Sequence, residues 1–132
     1  MSLKFRYTIL YVHDVPATLS FYERAFGAQT QMLHEGKDYG ELSTGATTLA
    51  FSSRTLLQQL GKNPDEPVRD RPTFELAFET DDVDGLFRRA CEAGARPVQE
   101  PRPECWGQTT SYVTDLDGFL VEICSPVSAS DS

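Results

Sequence analysis

The chain has 132 residues, 39% hydrophobic and 24% charged, ordinary proportions for a globular unit large enough to bury a core. Twenty acidic residues against twelve basic ones leave a formal net charge of −8, which argues against nucleic acid, whose phosphates select basic surfaces. No apolar run is long enough to cross a membrane, and the opening residues lack the charged-then-apolar pattern of a secretory leader. Three cysteines, odd in number and without metal-finger spacing, fit a reducing cytoplasm.

Residues 5–13 alternate and predict a strand. Asp14 suits a helix N-cap, and Pro16 falls in the first turn, where a missing N–H does no harm. Val15, Leu19, Tyr22 and Phe26 recur at helical spacing, and Gly27 stops the helix. Phe21, Tyr22 and Phe26 are assigned to the core. Three short strands follow over 29–35, 38–44 and 46–53, separated by Glu35-Gly36-Lys37 and Thr44-Gly45. Residues 54–60 predict a helical turn. The polar, Pro-rich stretch that follows predicts a linker.

The second half repeats the first. Residues 7–27, YTILYVHDVPATLSFYERAFG, return in outline at 75–94, ELAFETDDVDGLFRRACEAG. A strand over 73–80 runs into Asp81-Asp82, a capping site. Val83, Leu86, Phe87 and Ala90 form the helix stripe, and Gly94 ends it. Residues 96–99 predict a short strand, and Pro101 and Pro103 mark a loop through Trp106. Strands 108–114 and 119–124 flank the turn Asp115-Leu116-Asp117-Gly118, which lacks the remaining ligands of a calcium loop and reads as a hairpin turn. Cys91 and Cys124 read as small core residues and Cys105 as loop-borne. The bounds are a first module 4–57, a linker 58–72, a second module 73–126 and a loose tail 127–132. Each module is β-α-β-β-β, and the fold class is α+β.

Strand alternation assigns faces. Leu120, Glu122 and Cys124 share one face of their strand, with Val121 and Ile123 on the other. Glu75, Ala77 and Glu79 oppose Leu76 and Phe78 in the same way. The apolar face of each strand is expected beneath its helix.

The segments V-x-D-V-P-A-T-L-S-F-Y (12–22), W-G-Q (106–108) and D-L-D-G-F-L-V-E-I (115–123) resemble the vicinal oxygen chelate superfamily, which includes glyoxalase I, fosfomycin- and bleomycin-resistance proteins and extradiol dioxygenases. The last segment is close to that family's D-P-D-G-N-x-x-E-x signature, and the likeness spans roughly residues 5–126. It implies that the two tandem β-α-β-β-β modules form a half-open mixed sheet around a cleft. Members commonly dimerise, side by side or by exchanging halves, so a homodimer is expected. The family's metal site takes one residue from each of four strands. On this chain those positions hold Tyr7, Ala50, Glu75 and Glu122. Only Glu122 matches the common ligand outright, Ala50 offers no donor, and neither His13 nor His34 falls at a ligand position.

The resemblance and the repeat together place Tyr7, Ile9, Tyr11, Thr48, Ala50, Glu75, Glu79 and Glu122 on the cleft face. Glu75 and Glu122 are then expected within about 8 Å of each other, close enough to couple, so that one has a raised pKa. Two carboxylates with water would hold a divalent ion only weakly, and no firm zinc or iron site is expected. Tyr7, Tyr11, Tyr39, Trp106 and Tyr112 supply aromatic walls, with Trp106 beside Gly107 and Gln108 the foremost ligand contact.

Two functions follow. The first is a metal-free binding protein similar to the bleomycin-resistance branch, holding a small organic, cationic molecule against Tyr7, Tyr11, Ala50, Glu75, Trp106, Gln108, Tyr112 and Glu122. The alternative is a glyoxalase-type, metal-dependent lyase or isomerase with Glu122 and Glu75 as its catalytic residues. No phosphate loop, G-x-S-x-G elbow or H-E-x-x-H motif supports another chemistry.

Overall fold

A computed structural model describes residues 2–128. Of the predicted loose tail, residues 129–132 lie outside the described residues. The chain divides between Glu66 and Pro67 into two compact units.

The first unit runs β1 (Tyr7–Val12), α1 (Val15–Phe26), β2 (Gln29–Leu33), β3 (Tyr39–Ser43), β4 (Thr48–Ser53) and α2 (Arg54–Gln59). Its sheet has the order β1-β4-β3-β2, with β1 and β4 parallel and the other pairs antiparallel. α1 starts and stops where its ends are chemically satisfied. The Asp14 carboxylate accepts from the Ala17 N–H at 3.1 Å, and Gly27 takes the left-handed conformation (φ 71°) that closes the C-terminus. α1 buries Val15, Thr18, Leu19, Phe21, Tyr22 and Ala25. The Tyr22 ring meets Phe21 at 5.6 Å and Phe51 of β4 at 5.2 Å, joining the helix to the sheet. Phe26, assigned to the core, is half-buried.

The second unit repeats the plan: β5 (Glu75–Glu79), α3 (Val83–Glu92), β6 (Arg96–Glu104), β7 (Gln108–Thr114) and β8 (Leu120–Cys124), with the order β5-β8-β7-β6 and β5 parallel to β8. Asp82 caps α3 by accepting from the Gly85 N–H at 3.0 Å. Val83 and Ala90 are buried, whereas Phe87, on the same expected helix stripe, is half-buried. Val121, Ile123 and Val113 are fully buried, as their face of the sheet requires. Asp115 holds the β7–β8 turn: its Oδ1 accepts from the N–H groups of Asp117, Gly118 and Phe119 at 3.0, 2.9 and 2.8 Å. Gly118 has φ 104°, a conformation that L side chains resist. The two modules, their α+β class and the β-α-β-β-β order of elements in each agree with the sequence reading.

One expectation needs correction. The strand expected over 96–99 continues through Pro101 and Pro103 to Glu104. β6 lies at the sheet edge, so one side of its backbone needs no partner, and register shifts between Pro97 and Gln99 and between Gln99 and Arg102 absorb the prolines. α2 (Arg54–Gln59) forms where a helical turn was expected over 54–60, and the stretch 58–72 read as linker follows on from it. Within that stretch Glu66 is paired to Arg54 of α2 at 3.2 Å, while Arg69 donates to Thr114 Oγ1 at 2.7 Å and to the carbonyls of Asp115 and Leu116. Each end of the linker is therefore fastened to its own unit. In the described part of the tail, the Ser128 N–H donates to the Gly107 carbonyl at 3.0 Å.

Candidate functional site

The helix covers one face of each sheet, and the pleat sends alternate side chains to the other. On that second face of the second unit, the register sets Glu122 of β8 between Ala77 of β5 and Tyr112 of β7. Glu75, two residues before Ala77, shares the face. The Glu75 and Glu122 carboxyls and the Tyr112 phenol lie close enough to act on one another electrostatically.

The electrostatics follow from that crowding. Glu122 is half-buried, and its pKa is raised first by burial, then by the charge of Glu75 and the hydrogen bond with it. A hydrogen bond from Tyr112 acts the other way, and Glu104 adds a further push upward. The Tyr112 phenol is pushed up to about 12, by burial first and then by the charges of Glu122 and Glu75. It therefore stays protonated and serves as a donor.

The same face continues along β7. Trp106 sits in the β6–β7 turn with its ring 51% exposed, and its Nε1 donates to Gln108 Oε1 at 2.6 Å. Gln108 Nε2 donates in turn to the Ser125 carbonyl at 2.9 Å, which fixes the amide and, through it, the indole. Thr110 donates to Glu104 at 2.9 Å and accepts from Gln99 at 3.1 Å. The Cys124 thiol is buried and pushed up, mainly by burial, which makes it a poor nucleophile.

In the first unit, Tyr7, Tyr11 and Ala50 occupy the corresponding face. Tyr7 is 45% exposed, Tyr11 half-buried and Ala50 fully buried. Sequence reasoning missed Glu41. The β3–β4 register places it opposite Ala50, where Tyr39 donates to its Oε2 at 2.8 Å and Gln31 to its Oε1 at 2.9 Å. The signal was present in the alternation of Tyr39, Glu41 and Ser43, but its meaning depends on a register that the sequence does not display.

The four family metal positions can be tested against these donors. Ala50 has only a methyl group, Tyr7 is a phenol, and Glu75 and Glu122 bring two carboxylates with no imidazole or thiolate beside them at the four positions. Among the described residues, no three His, Cys, Asp or Glu side chains gather in a way that could hold a metal ion. This donor set does not fit a firm divalent-metal site.

The architecture is that of a two-module α+β protein of the glyoxalase type. The sequence profile of the Glyoxalase/Bleomycin resistance protein/Dioxygenase superfamily matches residues 4–123, and the chain belongs to that superfamily. Among solved structures it is similar to a glyoxalase-related enzyme from Fulvimarina pelagi, with 21% identity, 99% of this chain and 96% of the other covered, and a TM-score of 0.81. A glyoxalase/bleomycin resistance protein/dioxygenase family enzyme from Burkholderia phytofirmans PsJN shares 21% identity over 93% of this chain and 98% of its own, with a TM-score of 0.76. TioX from Micromonospora sp. ML1 shares 21% identity over 93% and 98%, with a TM-score of 0.71. At these identities the likeness shows the fold alone. No curated protein matches the chain. No helix among the described residues is long and apolar enough to cross a membrane.

Proposed function

We propose that the chain is a metal-independent binding protein for a small organic molecule, held against the sheet faces that the helices leave free. The feature that supports the reading is the Glu75–Glu122 pair, where burial and the neighbouring carboxylate raise the Glu122 pKa and favour either a proton or a cationic ligand beside it. Tyr112 and the fixed indole of Trp106 supply a donor and a ring beside it. The test is a titration of chelator-treated, ¹⁵N-labelled protein with small organic molecules, cationic drugs first. Binding without metal, with amide shifts along β5, β7 and β8, is the expected result. Binding that appears only after a divalent ion is restored would overturn the proposal.

The same pair favours a second reading, a lyase or isomerase acting beside a carbonyl. Glu122, with its raised pKa, would give its proton to the carbonyl oxygen while Glu75 takes one from the adjacent carbon. The product is an enol, and Glu122 and Glu75 have exchanged protonation states. Hydrogen–deuterium exchange at the carbon next to a ketone, followed by NMR, tests it. Exchange above the uncatalysed rate that disappears in both Glu75→Gln and Glu122→Gln supports this reading, and exchange unchanged in those variants contradicts it.

A further inference from the structure

The first unit carries a carboxylate that the acid pair does not involve. Glu41 is half-buried on β3, and each of its oxygens is fixed by a neutral donor, Tyr39 on one side and Gln31 on the other. The Tyr39 phenol is pushed well above its ordinary range, by burial first and then by its hydrogen bond to Glu41 and that residue's charge, so it remains a donor. No ion pair forms to Glu41 among the described residues, although Arg54 and Arg102 each pair with a different glutamate. Ala50, opposite Glu41 in the register, brings no compensating group.

The surroundings are apolar and aromatic. Ile9 pairs with Ala50 from the other side and is 43% exposed, and Tyr7 shares its face of β1. The Tyr7 ring already takes a cation, the Arg6 guanidinium, at 5.7 Å from its centroid. A carboxylate positioned by neutral donors, without a counter-charge and beside exposed aromatic and aliphatic surface, is complementary to an organic cation. Each oxygen has spent one lone pair on its donor and keeps another for a planar, bidentate partner.

We propose that Glu41, with Tyr39, Gln31, Tyr7 and Ile9, is a recognition site for the amidinium, guanidinium or ammonium group of an organic ligand. The inference rests on the reading of the protein as a small-molecule binder and gives the first unit a recognition site of its own for a cationic group.

The experiment is an NMR titration of ¹⁵N-labelled protein with benzamidine, which is an amidinium cation at pH 7, and with benzamide, its neutral counterpart. Benzamidine should shift amides of β1, β3 and β4, and benzamide should leave them in place. Glu41→Gln should weaken benzamidine binding at least about tenfold, the scale of one charge-assisted hydrogen bond. Glu35→Gln, which removes an exposed charge from the β2–β3 hairpin, should leave it within about twofold. The amide spectrum of Glu41→Gln reports whether that variant folds. If it does not, Tyr39→Phe, which frees one Glu41 oxygen, should still change benzamidine affinity and not that of benzamide. Equal binding of benzamide, equal affinity in Glu41→Gln, or no shifts in the first unit would overturn the inference. Shifts confined to β5, β7 and β8 would do so while leaving the proposed binding function standing.

Discussion

Replacing Glu122 by Gln should stabilise the protein at neutral pH. The side chain is half-buried with its pKa raised, so the folded state binds the proton more tightly than the unfolded chain does. Stability contributed by this group is full below the unfolded carboxyl value and is lost as pH rises through the higher folded value. Gln reproduces the protonated form: its amide donates to Glu75 and its carbonyl accepts from Tyr112. Two unit charges in contact repel by about 4 kcal/mol at an effective dielectric of about 20. Glu75 is exposed and solvent screens most of that, leaving about 1 kcal/mol at pH 7. For a chain of this size the gain raises Tm by about 3–4 °C. The assay is thermal unfolding of both proteins from pH 4 to pH 8, comparing the difference in Tm so that the remaining acids cancel. The difference should be near zero at pH 4 and grow with pH. A variant less stable than the parent at pH 7, or a difference that grows toward low pH, would refute the reasoning.

Other substitutions test the frame that holds the site. A Cβ at Gly40 would lie 2.7 Å from Leu19 Cδ1, 3.2 Å from Val15 Cγ1 and 3.3 Å from the Met32 carbonyl oxygen. Both side chains belong to the packed α1 face, so Gly40→Ala should cost about 1–3 kcal/mol in chemical denaturation. Asp115→Ala leaves three backbone N–H groups without their carboxylate and should cost about 2–4 kcal/mol by the same measurement. Trp106→Ala should change stability by no more than about 0.5 kcal/mol, because the ring is half exposed, and should weaken binding of any ligand found for the β7 face. Unchanged affinity in a calorimetric titration would remove the indole from the site.

Much of the fold was legible because its signals are local. Asp14 and Asp82 cap helices, Gly27 ends one, and alternation sends Val121 and Ile123 to one face and Glu122 to the other. The repeat aligned the halves, and the family resemblance then named Glu75 and Glu122 together at matching strand positions. What escaped depended on neighbours distant in sequence. Pro101 and Pro103 read as a loop because the sequence does not show that β6 is an edge strand, the one place where a missing N–H is tolerated. Glu41 was visible as an alternating residue, but only pairing with β4 puts it across from Ala50. The grip of Arg69 on residues 114–116 spans a separation that composition cannot reveal.

The most direct test of the account is metal retention. The protein is stripped with chelator, reloaded in turn with Zn, Ni, Mn and Fe(II), freed of excess ion by desalting, and assayed for bound metal by elemental analysis. With a methyl at Ala50, a phenol at Tyr7 and only two carboxylates among the four positions, retention should stay far below one ion per chain. Near-stoichiometric retention of any one ion would contradict the proposal that the protein works without a metal.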